Sequence, residues 1–376
     1  MKALLFLTSL VLALVARASA LPVPPPPQID ARAWQLTDLL SGQVLAEKAP
    51  DARVEPASLT KLMTAYLAFA AIKEGRIKPD QTLPVSEKAW RAEGSRMFLD
   101  PRRPAKVDDL LKGMIVQSGN DACIVLAEAI AGSEEGFAAM MNQMAKRLGM
   151  HNTHFVNSTG LPHPQHYTTA RDLTRLAAAL IRDHPDYYGY YAMKEYTYNG
   201  ITQPNRNRLL WLDPYVDGVK TGHTQSAGYC LVSSAKRGER RLLAVVLGAR
   251  SENGRIMESQ KLLNYGFQSF ETVRLYQANQ PVTRIRLYKG RQGEVGAGFA
   301  HDMYVTVPRG AGNRVQAQLI TRQPLLAPVA RGQQLGTLRL SVDGRPLGDH
   351  PLRALNSVAV AGLLGRAWDG MLLWFQ

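Results

Sequence analysis

Near Gln277 the hydrophobic pattern of this chain changes its period, and that switch limits it to a two-part architecture. Before it, stretches with apolar residues at three- and four-residue steps are interleaved with short alternating runs; after it the alternation every second residue takes over. A sequence patterned for helices does not settle as strands, nor the reverse. With 376 residues the chain is long enough for a large core and at least one further domain.

The later part carries the runs Ile285 and Leu287, Met303 to Val307, Val315 to Leu319 and Leu338 to Val342, separated by Gly and Pro. Residues 276–352 are therefore expected to form a small all-β sandwich domain. The earlier part, 21–275, mixes both periods. Ala33 to Lys48 reads as a hairpin turning at Ser41-Gly42, and a helix with Leu59, Leu62, Met63, Tyr66 and Leu67 on one face runs to Gly75. Further helices are expected over Asp108–Gln117, from Asn120 or Asp121 as cap to Gly132, and over Ser133–Leu148. Thr169 and Asp172 suggest a capping box. Asn199-Gly200 marks a second hairpin, and strands over Val216–Thr224, Gly228–Ser234 and Arg241–Leu247 precede a helix from Gly254 to about Phe270. This combination predicts an antiparallel sheet covered by helices, an α/β (α+β) arrangement.

Both ends look like addresses. Lys2, the apolar run Ala3 to Val15 and Ala18-Ser19-Ala20 read as a secretory signal removed after Ala20. Pro24 to Pro27 is a stiff extended lead-in. At the other end, 353–376 is read as an amphipathic helix from Leu355. Val360, Leu364, Ala367, Trp368, Met371, Trp374 and Phe375 share a side, with Arg366 and Asp369 opposite. Two charges at mid-length argue against a span, and the aromatic tip suits a helix lying in a membrane interface.

The formal net charge of +14 becomes +12 once Lys2 and Arg17 leave with the signal. Scattered arginines in a secreted chain point away from nucleic acid and toward an anionic envelope surface or acidic substrate. Cys123 and Cys230 each lie in an apolar run and read as buried thiols, too far apart for a zinc site. His151, His154, His163 and His166 crowd one loop, but Gly160, Pro162 and Pro164 keep them off a common helix face, so no metal is expected. No phosphate loop, dinucleotide fingerprint, Gly-x-Ser-x-Gly elbow or His-Glu-x-x-His run occurs, and no cofactor is expected.

The chemistry concentrates in three short motifs. Pro56 cannot continue a helix behind it, so Ser58 is placed at a helix start with Lys61 one turn on, on the same face. A serine hydroxyl needs a base, and a lysine in an apolar wall near another cation loses its proton readily. Alone, Ser58 reads as a helix cap and Lys61 as a solvated side chain. Ser118-Gly119-Asn120 at a helix–loop junction and Lys220-Thr221-Gly222 on a strand change that reading. The three together, in this order, belong to penicillin-binding proteins and class A β-lactamases.

From about Gln28 to the C-terminus the chain resembles the penicillin-binding protein 5 type of D-alanyl-D-alanine carboxypeptidase. The residues carrying the resemblance are Pro56 to Lys61, Gln117 to Cys123, Asn152 to Phe155 and Val216 to Thr224. It implies a serine β-lactamase/penicillin-binding-protein-like transpeptidase domain followed by the β domain and an anchoring tail. It also implies removal of the terminal D-alanine from peptidoglycan stem pentapeptides, acylation by β-lactams, and a role in wall remodelling and cell shape. The location implied is peripheral, on the periplasmic face of the bacterial inner membrane. By the same resemblance Ser58 is the nucleophile, Lys61 its base, Ser118 a proton relay and Asn120 the residue orienting Lys61 and the substrate amide. Lys220 and Thr221 would hold the substrate carboxylate, with Arg206 and Arg255 nearby. The backbone N–H groups of Ser58 and His223, beside Gly222, would form the oxyanion hole.

Two departures stand out. The section from Trp90 to Pro104 is shorter than is usual in that family, and Pro101-Arg102-Arg103 replaces a Gly-containing turn. A class A β-lactamase would need a Glu-x-x-Leu-Asn run between Asn120 and Lys220, and none is there, which leaves weak penicillin hydrolysis by the same fold as the alternative. A D,D-endopeptidase or a non-catalytic peptidoglycan-binding scaffold could share the motifs, though intact Ser58 and Lys61 argue against the scaffold.

Overall fold

The computed structural model describes residues 23–374; the expected signal segment, 1–20, lies outside them. The first domain is built on a five-stranded antiparallel sheet. Its strands are β1 (Ala33–Asp38), β2 (Val44–Lys48), β3 (Val216–Thr224), β4 (Gly228–Arg237) and β5 (Arg240–Ala249), in the order β2-β1-β5-β4-β3. Strict alternation along β5 explains why helices cover both faces. Leu243, Val245 and Leu247 enter one core, while Leu242, Ala244 and Val246 enter the other.

The first core is closed by α1 (Lys61–Lys73), α2 (Val107–Val116), α3 (Asn120–Ala131), α4 (Glu134–Arg147) and α5 (Ala170–Asp183). The second is closed by α6 (Glu252–Ser269), through Ile256, Leu262, Leu263 and Phe267. Ser133 and Thr169 cap α4 and α5 by accepting from Gly136 and Asp172 N–H. At α3 the expectation of a cap fails. Gly119 is the N-cap residue, and the side chains of Asn120 and Asp121 serve other partners. Asp121 takes up the backbone N–H groups of Met97 and Leu99, tying the loop before α2 to the start of α3.

The second domain begins without a linker. Strand β6 (Phe270–Tyr276) runs straight out of α6 and pairs with β9 (Met303–Pro308), so pairing starts before Gln277. The remaining strands are β7 (Pro281–Tyr288), β8 (Glu294–Gly298), β10 (Val315–Thr321), β11 (Leu325–Leu326), β12 (Gln334–Val342) and β13 (Arg345–Ala354). They make one six-stranded sheet, ordered β10-β12-β13-β8-β7-β11. Two apolar clusters fill the sandwich, one around Ile285, Leu287 and Leu352, the other around Val305, Val307 and Leu340.

The tail helix α7 (Leu363–Trp374) starts eight residues later than the pattern suggested. Backbone pairing holds the intervening chain extended: Val358 bridges Val329 and Val360 bridges Gly290. Val360 therefore leaves the helical face to which it was assigned, and Phe375 lies outside the described residues. No helix among the described residues is long and apolar enough to cross a membrane.

A polar seam joins the domains. The fully buried carboxylate of Asp38 accepts from Arg240 Nε at 2.7 Å and from Thr272 Oγ1 at 2.6 Å, and also from the N–H groups of Leu40 and Ser41. Ser41 Oγ meets Thr306 Oγ1 at 2.7 Å beside it. Removing one member of a buried ion pair strands the other. Asp38→Ala should lower stability by about 3–5 kcal/mol in urea unfolding, because Arg240 is left without its carboxylate.

Candidate active site

Ser58 lies in a short 3-10 turn, Ala57–Thr60, that leads directly into α1, so Lys61 is the first residue of the α-helix proper. Although a lysine, Lys61 is only 2% exposed. Its Nζ is 3.1 Å from Ser58 Oγ, and it donates to Asn120 Oδ1 at 2.7 Å and to the Thr159 carbonyl at 2.6 Å. Burial pushes its pKa below the ordinary lysine range. Arg206 pushes the same way, against Cys123 and Asp121. In the neutral form the amine keeps two protons for Asn120 and Thr159, and its lone pair is free to accept from the Ser58 hydroxyl.

The Thr159 carbonyl is delivered by a turn that sequence reading did not single out. Asn157 Oδ1 accepts from the N–H groups of Thr159 and Gly160 and fixes its shape. Gly160 has φ +89°, and a Cβ there would lie 1.8 Å from the Ala57 carbonyl oxygen. Glycine is needed because the loop backbone presses against the turn that carries Ser58. Asn157-Ser158-Thr159-Gly160 was a readable turn signal, but nothing in it pointed to this partner.

Asn120 is held at its other end as well. Its Nδ2 donates to the Glu93 carbonyl at 2.6 Å and its backbone N–H to the Ser95 carbonyl at 2.7 Å. Two residues earlier, Ser118 takes a left-handed backbone, φ +67°, and its buried Oγ has no partner in the protein. A hydroxyl left free in a buried position is available to a substrate.

Strand β3 forms the opposite wall and is the open edge of the sheet. At Gly222 a Cβ would come within 3.1 Å of Leu59 Cγ and the Pro56 carbonyl, so the glycine lets the strand and the Ser58 turn meet. Lys220 is 3% exposed and donates to the Thr221 carbonyl at 3.1 Å. Burial drives its pKa well down, with Lys61, Arg206 and Arg255 adding to the effect. Arg255 is buried, donates to the Gly222 carbonyl at 3.3 Å and to Glu252 at 3.0 Å, and lies over the ring of Tyr229. The exposed His223 ring stacks at 4.1 Å on Tyr229, its partner across strands β3 and β4.

These residues share one cleft of about 350 Å³. Ser58, Ser118, Thr221, Gly222 and His223 line it together with the exposed Arg206 and with Arg255. Lys61 bonds to its members from behind, with Asn120 bonded to Lys61, and Lys220 sits on β3 beside Thr221. Ser95, Tyr229 and Glu252 also line it, and none of the three was identified from sequence. Among the described residues no group of three His, Cys, Asp or Glu side chains is arranged to hold a metal ion. Of the four histidines, His166 instead contacts Thr60 Oγ1 at 3.0 Å, and burial lowers its pKa to about 4.

Residues 20–251 match the D-alanyl-D-alanine carboxypeptidase family of serine peptidases, and residues 270–360 match the C-terminal domain of penicillin-binding protein 5. The chain belongs to the D-alanyl-D-alanine carboxypeptidase family. It is a serine-type carboxypeptidase with the penicillin-binding-protein fold. The D-alanyl-D-alanine carboxypeptidase DacC of Escherichia coli is 44% identical over 358 residues, covering 93% of this chain and 90% of that one. The crystal structure of penicillin-binding protein 5 from Haemophilus influenzae superposes with a TM-score of 0.87 at 41% identity, over 89% of this chain and 99% of that one. Penicillin-binding protein D2 from Listeria monocytogenes, 32% identical over 65% of this chain and all of its own, has been solved with ampicillin and with cefotaxime bound, at TM-scores of 0.60 and 0.61.

The packing at Gly160 makes a sharp expectation for this family member. Gly160→Ala should slow the carboxypeptidase reaction by at least about tenfold, because the loop must retreat and take the Thr159 carbonyl away from Lys61. The kinetics of D-alanine release measure it, and an unaltered rate would show that the contact is dispensable.

Proposed function

We propose that Ser58 Oγ attacks the carbonyl of the penultimate D-alanine of a peptidoglycan stem pentapeptide. The contact carrying this reading is the 3.1 Å approach of the buried Lys61 amine to the Ser58 hydroxyl. Lys61 accepts the serine proton as the Oγ–C bond forms. The C–N bond to the terminal D-alanine then breaks, with a proton returned to the leaving amine through Ser118. Water hydrolyses the resulting ester and regenerates the serine. Backbone N–H groups of Ser58 and His223 face the developing oxyanion, and Asn120 aligns both Lys61 and the substrate amide.

Lys220, Thr221, Arg206 and Arg255 take the terminal carboxylate, which accounts for a cationic cleft in an exopeptidase. Penicillins present an equivalent carboxylate and carbonyl and are expected to acylate Ser58. The ampicillin- and cefotaxime-bound forms of the Listeria protein support this. In the cell wall, trimming the stem removes a substrate for cross-linking and so bears on wall remodelling and shape.

The tail supports a peripheral location on the periplasmic face of the inner membrane, following export by the N-terminal signal. On α7, Leu364 and Trp374 are 90% and 91% exposed, and Trp368 and Met371 are also exposed. The carboxylate of Asp369 is turned inward to the Lys289 N–H. An apolar face presented to solvent in this way fits a lipid interface.

D-Alanine release from a linear pentapeptide should be present in the wild type, blocked by penicillin, and lost with penicillin labelling in a folded Ser58→Ala variant. A covalent adduct on that variant would reassign the nucleophile. The acylation rate should rise with pH through an apparent pKa below the ordinary lysine range, since only the neutral Lys61 amine accepts a proton; Lys61→Arg should lower it by about a hundredfold or more. Truncation after Gly362 should move the protein from the membrane pellet to the supernatant.

A further inference from the structure

A cavity of about 560 Å³ lies behind the wall that faces β3, and nothing in the mechanism above uses it. Ser95 lines the cleft and Arg96 the cavity, and Ser118 and Asp121 are divided in the same way, so the two openings are neighbours. Apart from Asp121, every residue lining the cavity belongs to 90–104, the segment whose length departs from the family pattern.

Two aromatic rings stand open there. Trp90 ends the short helix Glu87–Trp90 and is 43% exposed, and Phe98 is 48% exposed. Phe98 is held out by its own backbone. Asp121 accepts from the N–H groups of Met97 and Leu99, both buried, and Phe98 is left between them at φ +64°. Left-handed backbone is costly for a bulky residue, and such strain gathers at ligand sites.

Polar groups rim the same cavity. The Arg96 guanidinium lies 5.5 Å from the centre of the Phe98 ring and has no carboxylate partner among the described residues. Asp100 Oδ1 accepts from the N–H and Nε of Arg102 at 2.9 and 3.1 Å, and Oδ2 accepts from its Nη2 at 3.1 Å. The carboxylate is thereby oriented, and Oδ2 keeps acceptor capacity. Open ring faces beside an oriented carboxylate and an unpaired guanidinium suit a molecule with one apolar face and a polar rim. An amino-sugar ring has that form, with C–H bonds on its face and hydroxyl and acetamido groups around its edge. A peptide partner would ask for an edge strand or a helix groove, and neither lines this cavity.

We propose that this cavity binds an N-acetylated sugar unit of a glycan strand. The sugar stacks on Trp90 and Phe98, Asp100 accepts from its hydroxyls, and Arg96 donates to its acetamido oxygen. The inference rests on the peptidoglycan reading of the cleft and extends it, since every stem in that polymer hangs from such a sugar. Glycan held beside the cleft raises the local concentration of stems, so the enzyme works better on wall polymer than on free peptide.

The test uses the full chain and the tetramer of β-1,4-linked N-acetylglucosamine. In calorimetry the wild type should bind the tetramer saturably. Trp90→Ala and Phe98→Ala should each weaken binding about tenfold, and Trp90→Phe should keep most of the affinity. D-Alanine release gives a second readout. For Trp90→Ala, kcat/KM should fall about tenfold, through KM, on glycan strands bearing pentapeptide stems, and stay at the wild-type value on free pentapeptide. A wild type that does not bind the tetramer, or alanine variants that bind it as the wild type does, overturns the site and turns the two rings toward a protein partner. Equal loss on both substrates overturns it as well, since the change would then act through the cleft. No release from either substrate by the wild type would instead overturn the carboxypeptidase reading, with calorimetry still deciding the cavity.

Discussion

The site depends on keeping one amine dry. Lys61 sits where a charge costs several kcal/mol to bury, and it is tolerated because three oxygens from three separate segments surround it. Those segments are the Ala57–Thr60 turn, the start of α3 and the Asn157–Gly160 loop. Their mutual placement is what the larger of the two cores secures. Lys220, buried in the same region, feels the charge of Lys61 and is pushed down further. Burial lowers the pKa of both amines. A neutral Lys61 amine 3.1 Å from Ser58 Oγ has a lone pair able to accept a proton.

The sequence was most readable where the cleft is built from particular side chains. Ser58, Lys61, Ser118, Asn120, Lys220 and Thr221 carry groups that few other residues supply, at spacings set by a helix turn or a strand. The parts that escaped notice act through the backbone. Glu93, Ser95 and Thr159 contribute carbonyl oxygens to Asn120 and Lys61, and any residue type has a carbonyl. Tyr229 and Glu252 enter the cleft only because β4 and α6 are brought against β3, a tertiary fact with no local signature.

Helix and strand boundaries failed for similar reasons. Asp121 looked like a cap because its side chain can accept from nearby N–H groups. The backbone of Met97 and Leu99 competes for that carboxylate and wins. Strand β6 escaped because its residues serve two cores: Phe270 packs with α6, while Val273 and Leu275 pack into the β domain. Polar residues fall on both faces, Thr272 and Arg274 beside Phe270 and Glu271 beside Val273, so it shows no clean alternation. The stretch before α7 carries a helical pattern, but its backbone groups are already committed to Val329 and Gly290.

The absence of a linker between α6 and β6, together with the seam at Asp38, has a geometric consequence. The tail is itself strapped to the β domain by paired backbone, so no hinge intervenes between it and the cleft. The direction in which the cleft opens is therefore tied to the direction of the tail helix.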